Sequence, residues 1–410
     1  MAISKWEKTP LNLLCHKIGD GLHGTPQYDQ NSDILFINGN NLKNGKIIYS
    51  KDTKRVASSD YEKNYIKLNE NSLLLSINGT IGSMAFYNKE KVMLGKSAAY
   101  LNFKTGVNKF YYYYFQLKDV QKYFFDVATG STIKNLGLKA IQEFKVPSPC
   151  ENEWKSIAKT LSALDEKIEI NNKINAELEA MAKLIYDYWF VQFDFPDANG
   201  NPYKSSGGKM VYNEELKREI PDEWEMGTLL DIATFTNGIA CQKHRPDKDE
   251  GFYKVIKIKE MGIGFTDKSE FVSKRIPEKV VINNGDVLFS WSATLDVKIW
   301  AGGVGGLNQH IFKVTSDKYP RTYYYFEVLQ YLQHFKMIAE LRKTTMGHIT
   351  QDHLKQSRIS IPPTTLTNKL HGIIDPIINK IVLGKEENLE LASLRDWLLP
   401  MLMNGQVTVK

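Results

Sequence analysis

Along one stretch of the chain, from Ile157 to Trp189, mostly apolar residues recur at alternating spacings of four and three, with asparagine at two central positions. This spacing keeps the apolar side chains on one face of an α-helix and is typical of a coiled-coil seam. The pattern predicts a long helix that begins near Trp154. Its seam positions are Ile157, Leu161, Leu164, Ile168, Asn171, Asn175, Leu178, Ala182, Ile185 and Trp189.

A second seam starts at Leu370, 213 residues after Ile157, and repeats the first position by position. We expect its helix to begin at or after Pro362 and Pro363, and we expect Pro376 to kink or delay it. The second seam reads Leu370, Ile374, Ile377, Ile381, Gly384, Asn388, Leu391, Arg395 and Leu398. As contact positions we select Leu164, Ile168, Asn175, Leu178, Ile377, Ile381, Asn388 and Leu391.

Two packing arrangements fit these seams. In the first, each helix packs only on its own domain, as most apolar helix faces do. In the second, the two helices pack antiparallel about a pseudo-twofold axis. Asn175 and Asn388 would then help to fix the register at a cost in stability. The sequence leaves both arrangements open.

Other segments also occur twice, in the same order and at separations of 218, 214, 211 and 215 residues. Such an ordered series indicates a duplicated unit with small loop insertions. The pairs are WEKTPLNLL with WEMGTLLDI, LLLSINGT with VLFSWSAT, YYYF with YYYF, and STIKNLGLKAIQEFKVPSP with GHITQDHLKQSRISIPP.

Each unit combines a mixed domain with a long helix. The mixed domains contain short β-branched and aromatic runs separated by Asn-Gly and Gly turn signals, which indicates an α+β fold. A segment rich in Gly, Pro, Asn and Ser separates the two units. The predicted boundaries are a domain over 1–150, a helix over 151–192, a linker over 193–222, a domain over 223–363 and a helix over 364–410.

Composition adds little to this picture. The 410 residues carry a formal net charge of +6, which is compatible with a polyanionic partner but not specific for one. Cys15, Cys150 and Cys241 are few and far apart, so neither a disulfide framework nor a zinc module is expected. No signal peptide and no run of about 18 apolar residues occurs. We therefore expect a cytoplasmic protein with no membrane partner.

The tripeptide Gly95-Lys96-Ser97 has the ending of a phosphate-binding P-loop, but its context does not fit. A P-loop needs a glycine five residues earlier, where this chain has Glu90, and it should open a helix. The residues after Ser97 instead alternate like a strand. Counting back from the tyrosine run by 211 residues places Ser97 opposite Asn308 and Lys96 opposite Leu307. We interpret this segment as a loop that enters a strand.

Several segments together resemble the specificity subunit of a type I restriction-modification system. They are FVQFDFPDANGNPYKSSGGKMV followed by REIPDEW, LNQHIF, TLSALDEKIEINNKINAELEAMAK and GHITQDHLKQSRISIP. The resemblance covers essentially the whole chain. It implies an α+β fold in which two pseudo-twofold-related target recognition domains are joined by two long antiparallel coiled-coil helices. The first unit departs from the pattern, because Lys96-Ser97-Ala98-Ala99 replaces Leu-Asn-Gln-His.

The resemblance also implies a function without catalysis in this chain. Each recognition domain would read one half of a bipartite, asymmetric target in double-stranded DNA. The helices would set the spacer and dock two DNA adenine methyltransferase subunits, and restriction subunits that translocate DNA could join. S-adenosylmethionine, ATP and magnesium would then belong to the partners, and this chain would hold no cofactor and no metal.

Base reading requires polar side chains on loops that can enter a groove. The DNA-contact candidates in the first unit are His23, Thr25, Gln27, Asn78, Thr80, Lys96, Ser97, Ser131, Thr132, Lys134 and Asn135. Those in the second unit are Gln242, Lys243, His244, Arg245, Ser290, Trp291, Ser292, Thr294, Asn308, Gln309, His310, Thr345, His348, Thr350 and Gln351. An ordinary turn or strand-end role is the alternative for each.

A few residues allow a more specific interpretation. Arg245 is suited to guanine O6 and N7. Cys241 and His244 have the spacing of half a metal site, but no second pair lies nearby. The tyrosines at 111–114 fit a buried helix face better than base stacking.

Two other functions compete with DNA sequence recognition. The second candidate is a two-domain scaffold that never reads DNA sequence, and the third is a self-contained methyltransferase or nuclease.

Overall fold

The computed structural model describes residues 6–341 and 349–409. Its residue contacts divide the chain into two compact units, Met1–Glu166 with Leu391–Lys410 and Lys167–Glu390. The boundary between the units falls within both long helices, so each unit contains one mixed domain and a part of each helix.

The first unit contains a mixed domain and the start of a long helix. Its strands are β1 (Lys8–Pro10), β2 (Cys15–Asp20), β3 (Leu35–Ile37), β4 (Leu42–Lys43), β5 (Lys46–Ile47), β6 (Ser72–Ser76), β7 (Met84–Phe86), β8 (Val92–Leu94), β9 (Ala98–Phe103) and β10 (Lys145–Pro147). Its helices are α1 (Leu11–Leu14), α2 (Ser58–Lys63), α3 (Asn108–Tyr114), α4 (Lys118–Val127), α5 (Leu138–Glu143) and the first part of α6 (Glu151–Tyr186).

The second unit begins within α6, which ends in a π-helical turn, Asp187–Val191. Its strands are β11 (Met210–Asn213), β12 (Arg218–Pro221), β13 (Glu225–Gly227), β14 (Thr234–Asn237), β15 (Phe252–Ile256), β16 (Phe271–Ser273), β17 (Val281–Ile282), β18 (Val287–Ser290), β19 (Asp296–Ile299), β20 (Gly305–Leu307), β21 (Ile311–Thr315) and β22 (Ile359–Ile361). Its other helices are α7 (Leu229–Ile232), α8 (Ile258–Ile263), α9 (Arg321–Leu341), α10 (Gln351–Lys355) and α11 (Thr364–Met403), of which α11 continues into the first unit.

The same antiparallel sheet occurs in both units. Its strand order is β2-β9-β6-β7 in the first unit and β14-β21-β18-β19 in the second. The apolar runs at β6 and β18 are buried along their whole length, as expected for central strands covered on both faces. The identical strand order confirms the duplication and the α+β class that the sequence predicts.

Each sheet packs against aromatic side chains of the following helix. In the first unit, Tyr111 lies on α3 with its ring stacked on Phe103 of β9 at 5.1 Å between centroids. In the second unit, Tyr323 on α9 is fully buried. The tyrosine runs therefore form buried helix faces, in agreement with the sequence prediction.

The strand register corrects the alignment predicted for the Gly-Lys-Ser segment. Ile77 N donates to Ser97 O at 3.0 Å, and the equivalent bond in the second unit joins Trp291 N to His310 O at 3.3 Å. Ser97 therefore corresponds to His310 and not to Asn308, and Lys96 corresponds to Gln309 and not to Leu307. The prediction is wrong by two residues because Tyr112 lies 14 positions after Ala98, the first residue of β9, whereas Tyr323 lies 12 positions after Ile311, the first residue of β21.

The two long helices begin at the first residues of their predicted ranges. Helix α6 begins at Glu151, three residues before the Trp154 that the seam pattern indicates, and α11 begins at Thr364, directly after the two prolines. The predicted delay at Pro376 is wrong, because α11 runs through it without interruption. Pro376 and Gly372 are both exposed, so water can bond the Gly372 carbonyl that the proline leaves without a donor.

Helices α6 and α11 pack antiparallel within the second unit. Asn171 Nδ2 donates to Glu387 Oε2 at 2.7 Å and to Asn388 Oδ1 at 2.9 Å. Further along α6, Glu179 forms an ion pair with Lys385 at 2.8 Å. Higher residue numbers on α6 thus meet lower ones on α11, as expected for antiparallel helices.

Helix pairing and domain packing occur together. In the first unit, Asp165 on α6 accepts a bond from Arg395 on α11 at 2.7 Å, and it also accepts one from the Tyr113 hydroxyl at 2.7 Å. In the second unit, the same core cluster contains Ala182 of α6, Ile378 of α11 and Tyr323 of α9. Both arrangements that the seams left open are therefore realised within each unit.

The selected seam residues lie as follows. Asn175 and Ile381 are buried, whereas Leu164, Ile168, Leu178, Ile377, Asn388 and Leu391 are partly buried. Asn388 bonds Asn171 and Asn172, and Asn175 lies against Gly384. The two asparagines named as register residues therefore stand in separate layers of the seam.

The two polar layers should differ in their contribution to stability. In the Asn171→Ala variant, the bonds to Glu387 and Asn388 are lost, so we expect the free energy of unfolding to fall by about 1–3 kcal/mol. The Asn175 amide nitrogen has no partner within the described residues, so Asn175→Ala should cost less than about 1 kcal/mol. Urea unfolding of both variants and the wild type measures the difference. Equal losses would contradict the assignment.

A buried carboxyl links the end of α6 to α9. Glu327 accepts a hydrogen bond from the hydroxyl of Tyr186, and both side chains are buried. Burial raises the pKa of Glu327 to about 7, against the opposing effects of the Tyr186 bond and of Arg218. The folded chain therefore binds this proton more tightly than the unfolded chain does.

The stability of the second unit should depend on pH through Glu327. The contribution of this carboxyl is complete below its ordinary pKa of 4.5 and is lost as the pH rises through about 7. Glu327→Gln keeps a neutral group that still accepts the Tyr186 bond. We expect its free energy of unfolding, relative to wild type, to increase by up to about 3 kcal/mol between pH 4.5 and 7.5. Parallel pH profiles of the two proteins would refute this.

Candidate nucleic-acid interface and partner surface

Loops of the first unit meet at one end of its sheet. At this end β2 and β6 finish and β7 and β9 begin, because neighbouring strands are antiparallel. Backbone bonds join the loops: Leu22 N donates to Leu94 O at 2.8 Å, and Leu136 N donates to Ile77 O at 2.8 Å. We call residues 21–27, 76–80, 95–97 and 129–136 the first loop cluster.

Hydroxyl groups of Ser97 and Thr80 join the loops of the first loop cluster. Ser97 Oγ donates to Asn38 Oδ1 at 2.9 Å and accepts from Gly39 N at 2.9 Å. Thr80 Oγ1 donates to Gly39 O at 3.0 Å and lies 3.0 Å from Ser76 Oγ. These hydroxyls therefore connect three loops to one another and position the outer side chains.

The outer part of the first loop cluster is polar and exposed. Lys96 has no carboxylate within ion-pair distance in the described chain, whereas His23 contacts Asp20 at 2.7 Å. Lys134 lies 3.8 Å above the Phe125 ring, and its amine donates to Phe125 O. The exposed candidates are His23, Thr25, Gln27, Thr80, Lys96, Ser131, Thr132 and Asn135, and the partly buried ones are Asn78, Ser97 and Lys134.

The second unit builds an equivalent loop cluster at the same end of its sheet. Ile239 N donates to Leu307 O at 2.9 Å, and Ile349 N donates to Trp291 O at 2.9 Å. We call residues 237–245, 290–294, 307–310 and 349–351 the second loop cluster. The structure thus brings together candidates from all four segments selected in this unit, but Thr345 and His348 lie outside the described residues.

Aromatic and amide side chains connect three segments of the second loop cluster. Trp291 Nε1 donates to Asn237 Oδ1 at 3.0 Å, and the Trp291 ring lies 5.6 Å from the His310 ring. Asn237 was not among the predicted residues, although its Asn-Gly dipeptide is a turn signal. Only glycine fits at 238, since a Cβ there would lie 2.3 Å from Asn308 O.

The remaining candidates of the second unit separate by exposure. Ser290, Ser292 and Asn308 are buried, and Ser290 Oγ accepts from Asp296 N at 3.1 Å, so this hydroxyl serves the hairpin. Trp291, Gln309 and His310 are partly buried. The exposed candidates are Gln242, Lys243, His244, Arg245, Thr294, Thr350 and Gln351. Within the described residues, no carboxylate lies within ion-pair distance of Lys243 or Arg245.

Cys241 and His244 point to different environments. The Cys241 thiol is buried and contacts Leu307 O at 3.6 Å, and burial raises the pKa of this thiol to about 11. His244 is exposed. No group of three or more metal-ligating side chains occurs in the described part of the chain.

A second kind of exposed surface, which the sequence reading missed, lies on the long helices. On α6 the apolar side chains of Met181 and Leu184 are 50% and 66% exposed. The residues 213 positions later on α11, Leu394 and Trp397, are 42% and 63% exposed. We call Met181 and Leu184 the α6 stripe and Leu394 and Trp397 the α11 stripe. The sequence contains this signal, because apolar residues outside the seam also recur at a separation of 213 residues.

Comparisons with known proteins agree with this architecture. A family model described as the type I restriction modification DNA specificity domain matches residues 3–180 and 221–393. The chain is 25% identical over 391 residues to the type I restriction enzyme MjaIX specificity subunit of Methanocaldococcus jannaschii, covering 92% of this chain and 88% of that protein. It is 20% identical over 472 residues to the HindI specificity subunit of Haemophilus influenzae, covering 99% and 100% of the two chains.

A solved structure shows the same fold. The crystal structure of the type I restriction-modification S subunit from M. genitalium superposes with a TM-score of 0.60 at 16% sequence identity, over 97% of this chain and 96% of that one. Among the described helices, none is long and apolar enough to span a membrane. The chain therefore belongs to the type I restriction modification DNA specificity domain family, as a specificity subunit with two target recognition domains.

Proposed function

We propose that each loop cluster reads one half of a bipartite target in double-stranded DNA. The observation that carries the proposal is the duplicated loop cluster, which gathers exposed polar and basic side chains at the same end of each sheet. Lys96 in the first cluster and Lys243 and Arg245 in the second are exposed cations that form no ion pair with a carboxylate of the described residues. Such groups suit phosphates and guanine edges.

The two clusters differ in chemistry, which suits an asymmetric target. The second cluster presents Lys243, His244 and Arg245 in one loop, and it also contains Trp291 and His310, whose ring centroids lie 5.6 Å apart. The first presents hydroxyl and amide side chains around a single exposed lysine, Lys96. We expect the second half-site to contribute more of the salt-dependent affinity, since each neutralised phosphate releases counterions.

Removal of Arg245 should weaken DNA binding. We expect Arg245→Gln to lower the affinity for a duplex that contains the target by about tenfold, consistent with about 1–3 kcal/mol for a guanine contact. Lys318→Gln is the matched control, because Lys318 follows β21 at the opposite end of the sheet. Fluorescence anisotropy at fixed salt measures both variants. Equal affinities for Arg245→Gln and wild type would exclude this contact.

The α6 and α11 stripes support two copies of one partner. They occupy positions that are equivalent in the repeat, and they expose large apolar side chains that soluble proteins usually bury. Two copies of the same surface fit two copies of the same subunit. We propose that each stripe docks one DNA adenine methyltransferase subunit, as expected for a type I system, and that restriction subunits join the complex optionally.

The stripes can be tested one at a time. Leu184→Ser should reduce the complex from two methyltransferase subunits to one, Trp397→Ser should do the same, and the double variant should bind none. Leu389→Ser is the control, because Leu389 is also exposed but lies off the stripe on α11. Native mass spectrometry counts the subunits. Two bound subunits in the double variant would contradict the assignment.

Catalysis and cofactors are assigned to the partner subunits. We propose that the chain itself is not catalytic, in line with the names of its relatives as specificity subunits, and that S-adenosylmethionine, ATP and magnesium are held by its partners. The absence of a bound metal stays a prediction. We propose a cytoplasmic location, which the three free cysteines favour. The domain limits given by the sequence remain our proposed limits.

A methylation map tests the function as a whole. In cells that carry the methyltransferase, deletion of this chain should abolish adenine methylation at one bipartite motif, and its return should restore that motif. A scaffold that never reads DNA sequence would bind duplexes without sequence preference in competition assays, but the family membership does not favour this alternative. Purified chain that methylates DNA without a partner would overturn the non-catalytic assignment.

A further inference from the structure

A cavity of about 570 Å³ lies in the second unit between the helix pair and the recognition domain. Helix α6 contributes the small residues Ala176 and Ala180 to its wall. The sheet contributes Val297 and Ile299, and α9 and α11 contribute Tyr325, Phe326, Ile378 and Val382. The volume lies within the range of small-molecule sites, and most of its wall is apolar and aromatic.

One polar side chain in this wall lacks a partner. Asn175 is 5% exposed, and its amide nitrogen donates no hydrogen bond within the described residues. On the α11 side the amide is pressed against Gly384, where a Cβ would lie 2.8 Å from Asn175 Oδ1. A buried amide without a partner is costly. An acceptor atom placed in the cavity would satisfy it.

The charged groups at the cavity rim are paired with one another, so the site does not favour a charged ligand. Lys385 pairs with Glu179 at 2.8 Å, and Lys298 pairs with Asp296 at 3.2 Å. Lys183 pairs with Asp187. Because each lysine is neutralised by a carboxylate, the rim offers no net charge to a ligand.

We infer that this cavity is a binding site for a small uncharged aromatic molecule that carries one hydrogen-bond acceptor. The aromatic ring would pack against Tyr325 and Phe326, and its carbonyl or ether oxygen would accept a bond from Asn175 Nδ2. Because the wall contains α6, α11 and the recognition domain, a bound ligand contacts both the helix pair and the DNA-reading domain of this unit. Occupancy therefore stabilises their packing. The site does not depend on the proposed DNA contacts.

Acetophenone and α-methylstyrene are suitable probes, since they share shape but only acetophenone carries a carbonyl acceptor. Both are titrated against the full chain by saturation-transfer NMR, with thermal unfolding as a second readout. We expect saturable binding of acetophenone, at least fivefold weaker binding of α-methylstyrene, and an increase of the unfolding temperature with acetophenone concentration.

Two variants and a control locate the site. Ala180→Phe should fill the cavity and weaken acetophenone binding at least tenfold, whereas Ala163→Phe, at an equally exposed α6 position outside the cavity wall, should leave it unchanged. Asn175→Leu should remove the difference between the two probes. Absence of saturable binding to the wild type, or binding that Ala180→Phe leaves unaltered, would overturn the inference. If Asn175→Leu keeps the fivefold preference, Asn175 is not the donor.

Discussion

Asn171 joins α6 to α11 through its bonds to Glu387 and Asn388, and the rest of the second unit depends on the helix register that this contact fixes. A seam made only of Leu and Ile would tolerate a shift by one heptad, because each apolar layer resembles the next. A hydrogen-bonded amide layer does not tolerate such a shift, since it would bury the amides without partners. The polar residues at the centre of the seam therefore select one register of α6 against α11, which the apolar layers alone would not specify.

This alignment matters because both helices also belong to the domain cores. Ala182 and Ile378 lie in the same cluster as Tyr323 of the recognition domain, and in the first unit Leu399 and Met403 of α11 pack into the core of the other mixed domain. A shift of one helix along the other would consequently disturb the packing of the domain attached to it. Within the second unit, the sheet and the loop cluster at its end therefore pack on the helices whose register the Asn171 contact fixes.

The features that the sequence could predict are those with a period or a repeat. Heptad spacing located both helices to within a few residues, and the duplicated segments indicated two equivalent sheets. The register of the Gly-Lys-Ser segment was harder to predict, because the number of residues between this segment and the tyrosine run differs between the two units. The role of Asn237 depends on a contact with Trp291, 54 positions away, which no local pattern encodes. The α6 and α11 stripes were not predicted because their apolar residues lie outside the heptad positions that define the seam.

We propose that the length of the paired helices sets the spacer between the two DNA half-sites. Insertion of one heptad into both α6 and α11 beside the asparagine layers preserves the seam and lengthens each helix by about 10.5 Å. At about 3.4 Å per base pair this corresponds to about three base pairs. Methylation mapping in cells that carry the lengthened chain should show the same two half-sites with a spacer about three base pairs longer. An unchanged spacer between unchanged half-sites would contradict the proposal that helix length sets the spacer.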